Sequence, residues 1–255
     1  MTLMAYQEFG NQNNPSLIIL HGFLGSKNNW SAVAKLLSNN FYVITVDIRN
    51  HGDSFHNDEH TYDVLVNDLE KLMDRFNFSN SIIMGHSMGG KIAMKFACKF
   101  PDKVNYLIVV DIAPVDYSFN KEEIKGLLSI NLSSLNNKRD GEDILIKYVP
   151  ELGMRKFLMT NLLFSKKKGF YWRINLKVLS DSLHSIGGNS LDDSDRFTGS
   201  TIFIMGDESE YTKDAKKMLF LNFFPKAIIE KIRGAGHNPH FSHLNEFCEK
   251  VLTLI

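Results

Sequence analysis

The stretch SIIMGHSMGG, Ser81 to Gly90, joins a short apolar run to a segment with helical spacing. Ser81 to Met84 has the composition of a buried strand, and Ile92, Ala93, Phe96 and Ala97 recur at the three- and four-residue intervals of a helix face. Between them stands Gly85-x-Ser87-x-Gly89. A serine on so tight a strand-to-helix turn holds its hydroxyl out at the end of a sheet, and glycines two residues to either side leave room for the turn. The N–H of Met88, opening the helix, points into the same space at the positive end of the helix dipole. The pentapeptide alone also arises by chance in Gly- and Ser-rich loops. Its flanks make it an elbow carrying a nucleophile and half of an anion-binding hole.

Upstream, Leu3 to Phe9 reads as an opening strand and Leu17 to Leu20 as a strand buried on both faces, ending in His21-Gly22-Phe23-Leu24-Gly25. A glycine-bearing loop at the carboxyl end of a central strand is where an open α/β sheet places ligand-binding backbone. A helix from Trp30 to Leu37 and a strand from Tyr42 to Val46 lead to the polar loop Asp47 to Ser54, where Asp47 and Arg49 are expected to satisfy one another structurally. The next helix places Tyr62, Leu65, Val66, Leu69, Leu72, Met73 and Phe76 on one face and leaves Asp68, Glu70 and Lys71 to water.

Downstream, Val104 to Val110 reads as a strand closed by Asp111, then the β-α alternation lapses from Ser118 to Thr198. Helical patterns at Ile124–Ile130, Ile144–Leu152, Phe157–Phe164 and Leu176–Leu183 replace it, with Lys166-Lys167-Lys168-Gly169 as a solvated turn. The expected organisation is a core of residues 1–117 and 199–255 with a helical cap at 118–198. A strand at Thr201–Met205, the loop Gly206-Asp207-Glu208-Ser209, a helix carrying Ala215, Met218 and Leu219, a strand at Ala227–Ile232, the loop Arg233 to His237 and a last helix through Leu244 and Val251 complete the core. Strand, helix and strand in alternation predict a parallel sheet covered on both faces.

The 255 residues, 44% of them hydrophobic, suit one domain with an insertion. Lys plus Arg and Asp plus Glu balance at 29 each, which gives no electrostatic case for nucleic acid or an anionic membrane as the main partner. Neither a signal-peptide pattern nor a membrane-length apolar window is present, so a cytoplasmic protein without stable membrane association is expected. Cys98 and Cys248 lie in apolar helical patterns and read as core residues. His237, His240 and His243 have a suggestive spacing, but Pro239 interrupts any continuous helix and no acidic or Cys cluster joins them, so no metal is expected. Nothing in the sequence fixes an oligomeric state.

HGFLG, DIRNHGDS, GHSMGG, DIAPVDY and GAGH thus fall in that order at successive strand ends. The succession resembles the α/β-hydrolase fold over essentially the whole chain. HGFLGS, RNHGDS, GHSMGGK, DIAPVDY and Trp172-Arg173-Ile174-Asn175 further resemble the small bacterial YbfF-type esterases, which have relatives among animal mitochondrial hydrolases. The resemblance implies a cofactor-free serine hydrolase of small acyl esters or thioesters, acyl-CoA included, working through an acyl-enzyme. Ser87 would be the nucleophile, His237 the base and later the acid, Asp111 the residue orienting the imidazole, and the N–H groups of Met88 and Phe23, with Leu24 as Phe23's alternative, the oxyanion hole. Many members of the superfamily take the acid from the fourth position of a G-x-x-D, which here is Ser209; Asp207 and Glu208, two positions and one position before it, are the alternative acids. YbfF-type relatives also carry serine there, so Ser209 is an accessory candidate, while His86 and His21 read as structural or pocket-lining. The scaffold also hosts C–C hydrolases, lyases and catalytically silent binding proteins, whereas dehalogenases and epoxide hydrolases need Asp at the Ser87 position.

Overall fold

Alternation along the apolar strands decides the layers. In the strand Ser16–Leu20 (β2), Leu17 and Ile19 face one side of the sheet while Ile18 and Leu20 face the other. The first pair packs with Val33, Ala34 and Leu37 of helix Ser31–Leu37 (α1) and with Phe247 and Val251 of helix Leu244–Leu254. The second packs under helices Tyr62–Arg75 (α2) and Met88–Lys99 (α3). Both faces are therefore roofed, and β2 is apolar from Leu17 to Leu20.

The computed structural model describes residues 2–118 and 121–255. Residue 1 of the expected core and residues 119 and 120 of the expected cap lie outside the described residues. The main sheet has seven strands in the order β1-β3-β2-β4-β5-β8-β9, where β1 is Tyr6–Phe9, β3 Tyr42–Val46, β4 Ser81–His86, β5 Val104–Val110, β8 Ser200–Gly206 and β9 Ala227–Ile232. Only the edge strand β1 runs antiparallel, against β3. Helix α9 (Lys217–Phe223) contributes Phe220 and Phe223 to the α2–α3 face.

The insert between β5 and β8 carries helices α4 (Lys121–Ser129), α5 (Lys138–Leu145), α6 (Leu152–Met159), α7 (Leu176–Asp181) and α8 (Leu183–Gly187) around an apolar cluster of its own that includes Leu127, Leu158, Leu162 and Leu179. It is not wholly helical. Leu162–Ser165 (β6) and Gly169–Trp172 (β7) form an antiparallel hairpin with Phe164 opposite Phe170, where a helix through Phe164 is expected from sequence. The apolar run Leu162-Leu163-Phe164 is too short for its period to discriminate, and the lysine triplet with Gly169 at φ 70° supplies a hairpin turn. Similarly α5 stops at Leu145, where a helix over Ile144–Leu152 is expected, and β1 begins at Tyr6, three residues late. Asp68, expected in water, is buried. It accepts two bonds from Arg49, at 2.5 and 2.9 Å, so Arg49 pairs with α2 and not with Asp47. Asp47 instead takes the backbone and ammonium of Lys27 at 2.7 and 2.5 Å.

Candidate active site

Ser87 adopts φ 52° and ψ −118°, a strained backbone conformation between β4 and α3. Close packing enforces it: a Cβ on Gly85 would come within 2.1 Å of the Gly89 carbonyl oxygen, and one on Gly89 within 2.4 Å of that of Leu20. The Ser87 N–H donates to Val110 O at 3.1 Å, and its carbonyl accepts the Lys91 N–H at 3.1 Å, so the turn is locked to β5 and to the first turn of α3. Met88 is the first residue of that helix, whose N–H has no partner within the helix by position.

Asp111, one residue past β5, is fully buried and also lies at positive φ, 50°. Its carboxylate is saturated. Oδ1 accepts the Gly206 N–H at 2.9 Å and the Thr212 hydroxyl at 2.8 Å, while Oδ2 accepts the Ser209 hydroxyl and the Nδ1–H of His237, the latter at 2.7 Å. By accepting the Nδ1–H, the carboxylate fixes the imidazole tautomer and leaves Nε2 of His237 with its lone pair. The alternative acids point elsewhere: Asp207 accepts the Gly234 N–H at 2.6 Å, and Glu208 is exposed with its N–H on Ala235 O.

The His237 ring stacks on Tyr211 with centroids 3.9 Å apart. Its carbonyl oxygen accepts the Nε2–H of His86 at 2.8 Å, which ties the His237 loop to the residue before the nucleophile. The rings of His86 and His237 lie 4.6 Å apart. Burial, then the neighbouring imidazoles, hold His86 well below the usual histidine range. Burial brings His240, stacked on Trp30 at 4.1 Å, down to about 3. Both neighbours of His237 are thus neutral. The Ser87 hydroxyl has no hydrogen-bond partner among the described residues, an open geometry common before substrate tightens a site.

The loop after β2 lies beside Ser87, since a Cβ on Gly22 would sit 3.3 Å from that of Ser87. Leu24, at φ 60°, donates its N–H to Nε2 of His51 at 3.1 Å. His51 in turn donates from Nδ1 to Arg49 O at 3.0 Å, and His21 accepts the Ile48 N–H at 3.0 Å while donating to Gly22 O at 2.7 Å. Burial keeps both rings, and that of His60, which falls to about 3, in the neutral state this pattern requires.

Next to Ser87 is a narrow cavity of about 10 Å³, room for roughly one water, lined by Tyr62, Ser87, Met88, Lys91, Ile112, Tyr117, Ile186 and Tyr211. Thr212, Tyr211 and Lys91 were not legible as site residues. Thr212 stands three beyond Ser209, and Lys91 is a charged letter in an otherwise apolar helix start; only these faint signals mark them. Among the described residues no group of three or more His, Cys, Asp or Glu side chains is placed to hold a metal, and no helix is long and apolar enough to cross a membrane. Cys98 and Cys248 are free thiols.

A family model described as the alpha/beta hydrolase fold matches residues 15–244. The chain is 35% identical to the sn-1-specific diacylglycerol lipase ABHD11 of Danio rerio over 99% of this chain and 82% of that one. It is 29% identical to esterase YbfF of Escherichia coli, over 94% and 92% respectively. A solved marine microorganism esterase superposes with a TM-score of 0.96 at 32% identity, covering 100% of both chains. The chain belongs to the α/β-hydrolase fold family.

Proposed function

We propose that this protein hydrolyses carboxylic esters, and acyl thioesters such as acyl-CoA, through a serine acyl-enzyme. The single observation that carries the reading is the tautomer-fixing contact of 2.7 Å between Asp111 and His237 beside the strained Ser87 turn. A serine hydroxyl is too weak an acid to ionise at neutral pH, so Nε2 of His237 takes its proton as Oγ attacks the acyl carbon. The Met88 and Phe23 N–H groups receive the oxyanion, and Asp111 steadies the imidazolium. The imidazolium then protonates the leaving alcohol or thiol, and water repeats the sequence to release the acid. Ser209 and Thr212 hold Asp111 in place, and His86 holds the His237 backbone. Residues 118–198 act as a cap over a core of 1–117 and 199–255. The ABHD11 relatives bear the name of a diacylglycerol lipase, which makes acylglycerol esters reasonable substrates to include in a test.

The test is a panel of aryl esters, acyl-CoA thioesters and a diacylglycerol, run on the parent chain and on Ser87→Ala, Asp111→Asn and Asp207→Asn. Turnover should vanish in Ser87→Ala and change little in Asp207→Asn. If Asp207→Asn were as inactive as Ser87→Ala while Asp111→Asn worked normally, the assignment of the acid would be wrong. Ligand binding without turnover in the parent would instead indicate a silent binding protein.

A further inference from the structure

Three backbone carbonyls converge on one buried ammonium. Lys91 lies in α3 one turn beyond Ser87 and is only 2% exposed. Its Nζ donates to Val115 O at 2.8 Å, Gly187 O at 3.1 Å and Gly188 O at 2.7 Å, using all three protons. Tyr117 places its ring 4.8 Å from the same atom, and no carboxylate pairs with Lys91 among the described residues. With only the unbonded charge of Asp116 nearby, burying a cation on neutral acceptors is costly, and an apolar side chain of the same length would fill the space without that cost.

The acceptors explain its placing. Val115 is on the segment by which the chain leaves the sheet for the insert, and Gly187 and Gly188 are on the segment by which it returns. The same node holds the two segments together directly. Tyr117 donates its N–H to Gly187 O at 2.8 Å, Asn189 donates its N–H to Asp116 Oδ1 at 2.6 Å, and the Ser190 hydroxyl returns to Lys91 O at 3.0 Å. Ile112, Tyr117 and Ile186, all on these segments, wall the narrow cavity beside Ser87. The cavity is narrow, about 10 Å³, so the position of this wall decides what an acyl group beside Ser87 meets.

We propose that Lys91 is a positioning residue that clamps both crossings of the insert to the nucleophile's helix and so sets how far the Ile112–Tyr117–Ile186 wall yields to an acyl chain. Its kinetic consequence rests on the ester-hydrolase reading; its structural consequence does not.

The experiment compares the parent with Lys91→Met, which keeps length and removes the donors, and with Asp116→Ala, which removes the exposed Asn189 bond and a nearby negative charge while leaving the three donors of Lys91 in place. Aryl acetate and aryl octanoate kinetics are read together with hydrogen-exchange protection of the Tyr117 and Asn189 amides, and Ser87→Ala serves as the activity blank. In Lys91→Met, kcat on the acetate should fall about 10- to 100-fold as the wall loses its position. The octanoate-to-acetate ratio of kcat/KM should rise about tenfold as the pocket gains give. Protection of the Tyr117 amide, which bonds Gly187 O, should fall in Lys91→Met and by less in Asp116→Ala, whereas Asn189 loses its own acceptor in Asp116→Ala. If Lys91→Met does not fold, a rise in the same ratio with lowered Tyr117 protection in Asp116→Ala supports the clamp, and no change in either overturns it. Equal loss on both esters with protection intact would make Lys91 a space filler and overturn the proposal. If the parent cleaves neither ester, the hydrolase reading fails, and the exchange data still decide the clamp.

Discussion

At the scale of single residues, the site is a set of hydrogen bonds that each fix one proton. Asp111→Asn would put an amide where Nδ1 of His237 needs an acceptor, and we expect a loss of about 10³- to 10⁴-fold in kcat on an aryl ester. Ser209→Ala removes one of the donors on the same carboxylate while the Gly206 and Thr212 donors remain, so the loss should be tenfold or less, with KM unchanged. A Ser209→Ala protein as impaired as Asp111→Asn would show that Ser209 does more than hold the acid. The meeting of Asp111 with His237 was foreseeable from its place at the end of β5 and from the serine standing at the position where many relatives keep an acid. Lys91 was not, because a lysine in a helix reads as a solvated residue, and only the arrival of two distant chain segments turns it inward.

Elements with a full apolar face declare themselves, and those built on shared polar contacts do not. The strand Tyr42–Val46 is where its apolar run places it, since burial on both faces leaves no competing register. Asp68 interrupts that clarity in α2. It sits among apolar positions because Arg49, nineteen residues earlier, reaches it from the loop after β3, a pairing invisible to helical periodicity. Asp68→Ala would strand a buried guanidinium, and we expect a loss of about 3–5 kcal/mol of stability in urea unfolding, far beyond that of an exposed change such as Asp63→Ala. In the insert the periodicity is weaker still, and the hairpin β6–β7 takes its place from ties to the core. The Asn161 amide donates to Leu24 O at 2.9 Å and Arg173 pairs with Asp53 at 2.7 Å. Asn161→Ala should therefore disturb the loop that holds Phe23 and lower kcat more than it raises KM, as steady-state kinetics would show.

Across the molecule, five imidazoles at His21, His51, His60, His86 and His240 are held neutral by burial, with His60 and His240 brought down to about 3. An unfolded histidine takes up its proton near pH 6.5, so between about pH 3 and 6.5 the unfolded chain binds more protons than the native one. Stability contributed by these groups is complete above that window and is lost as pH falls through it. Urea midpoints measured from pH 7.5 to 4.5 should drop steeply, and His60→Gln should flatten the slope. A midpoint independent of pH would contradict the neutral assignment. Nε2 of His51 must accept the Leu24 N–H, which it cannot do once it carries its own proton, so acid dismantles the loop beside the nucleophile from within. In a souring environment this enzyme would lose the frame of its reaction centre as these buried rings take up protons.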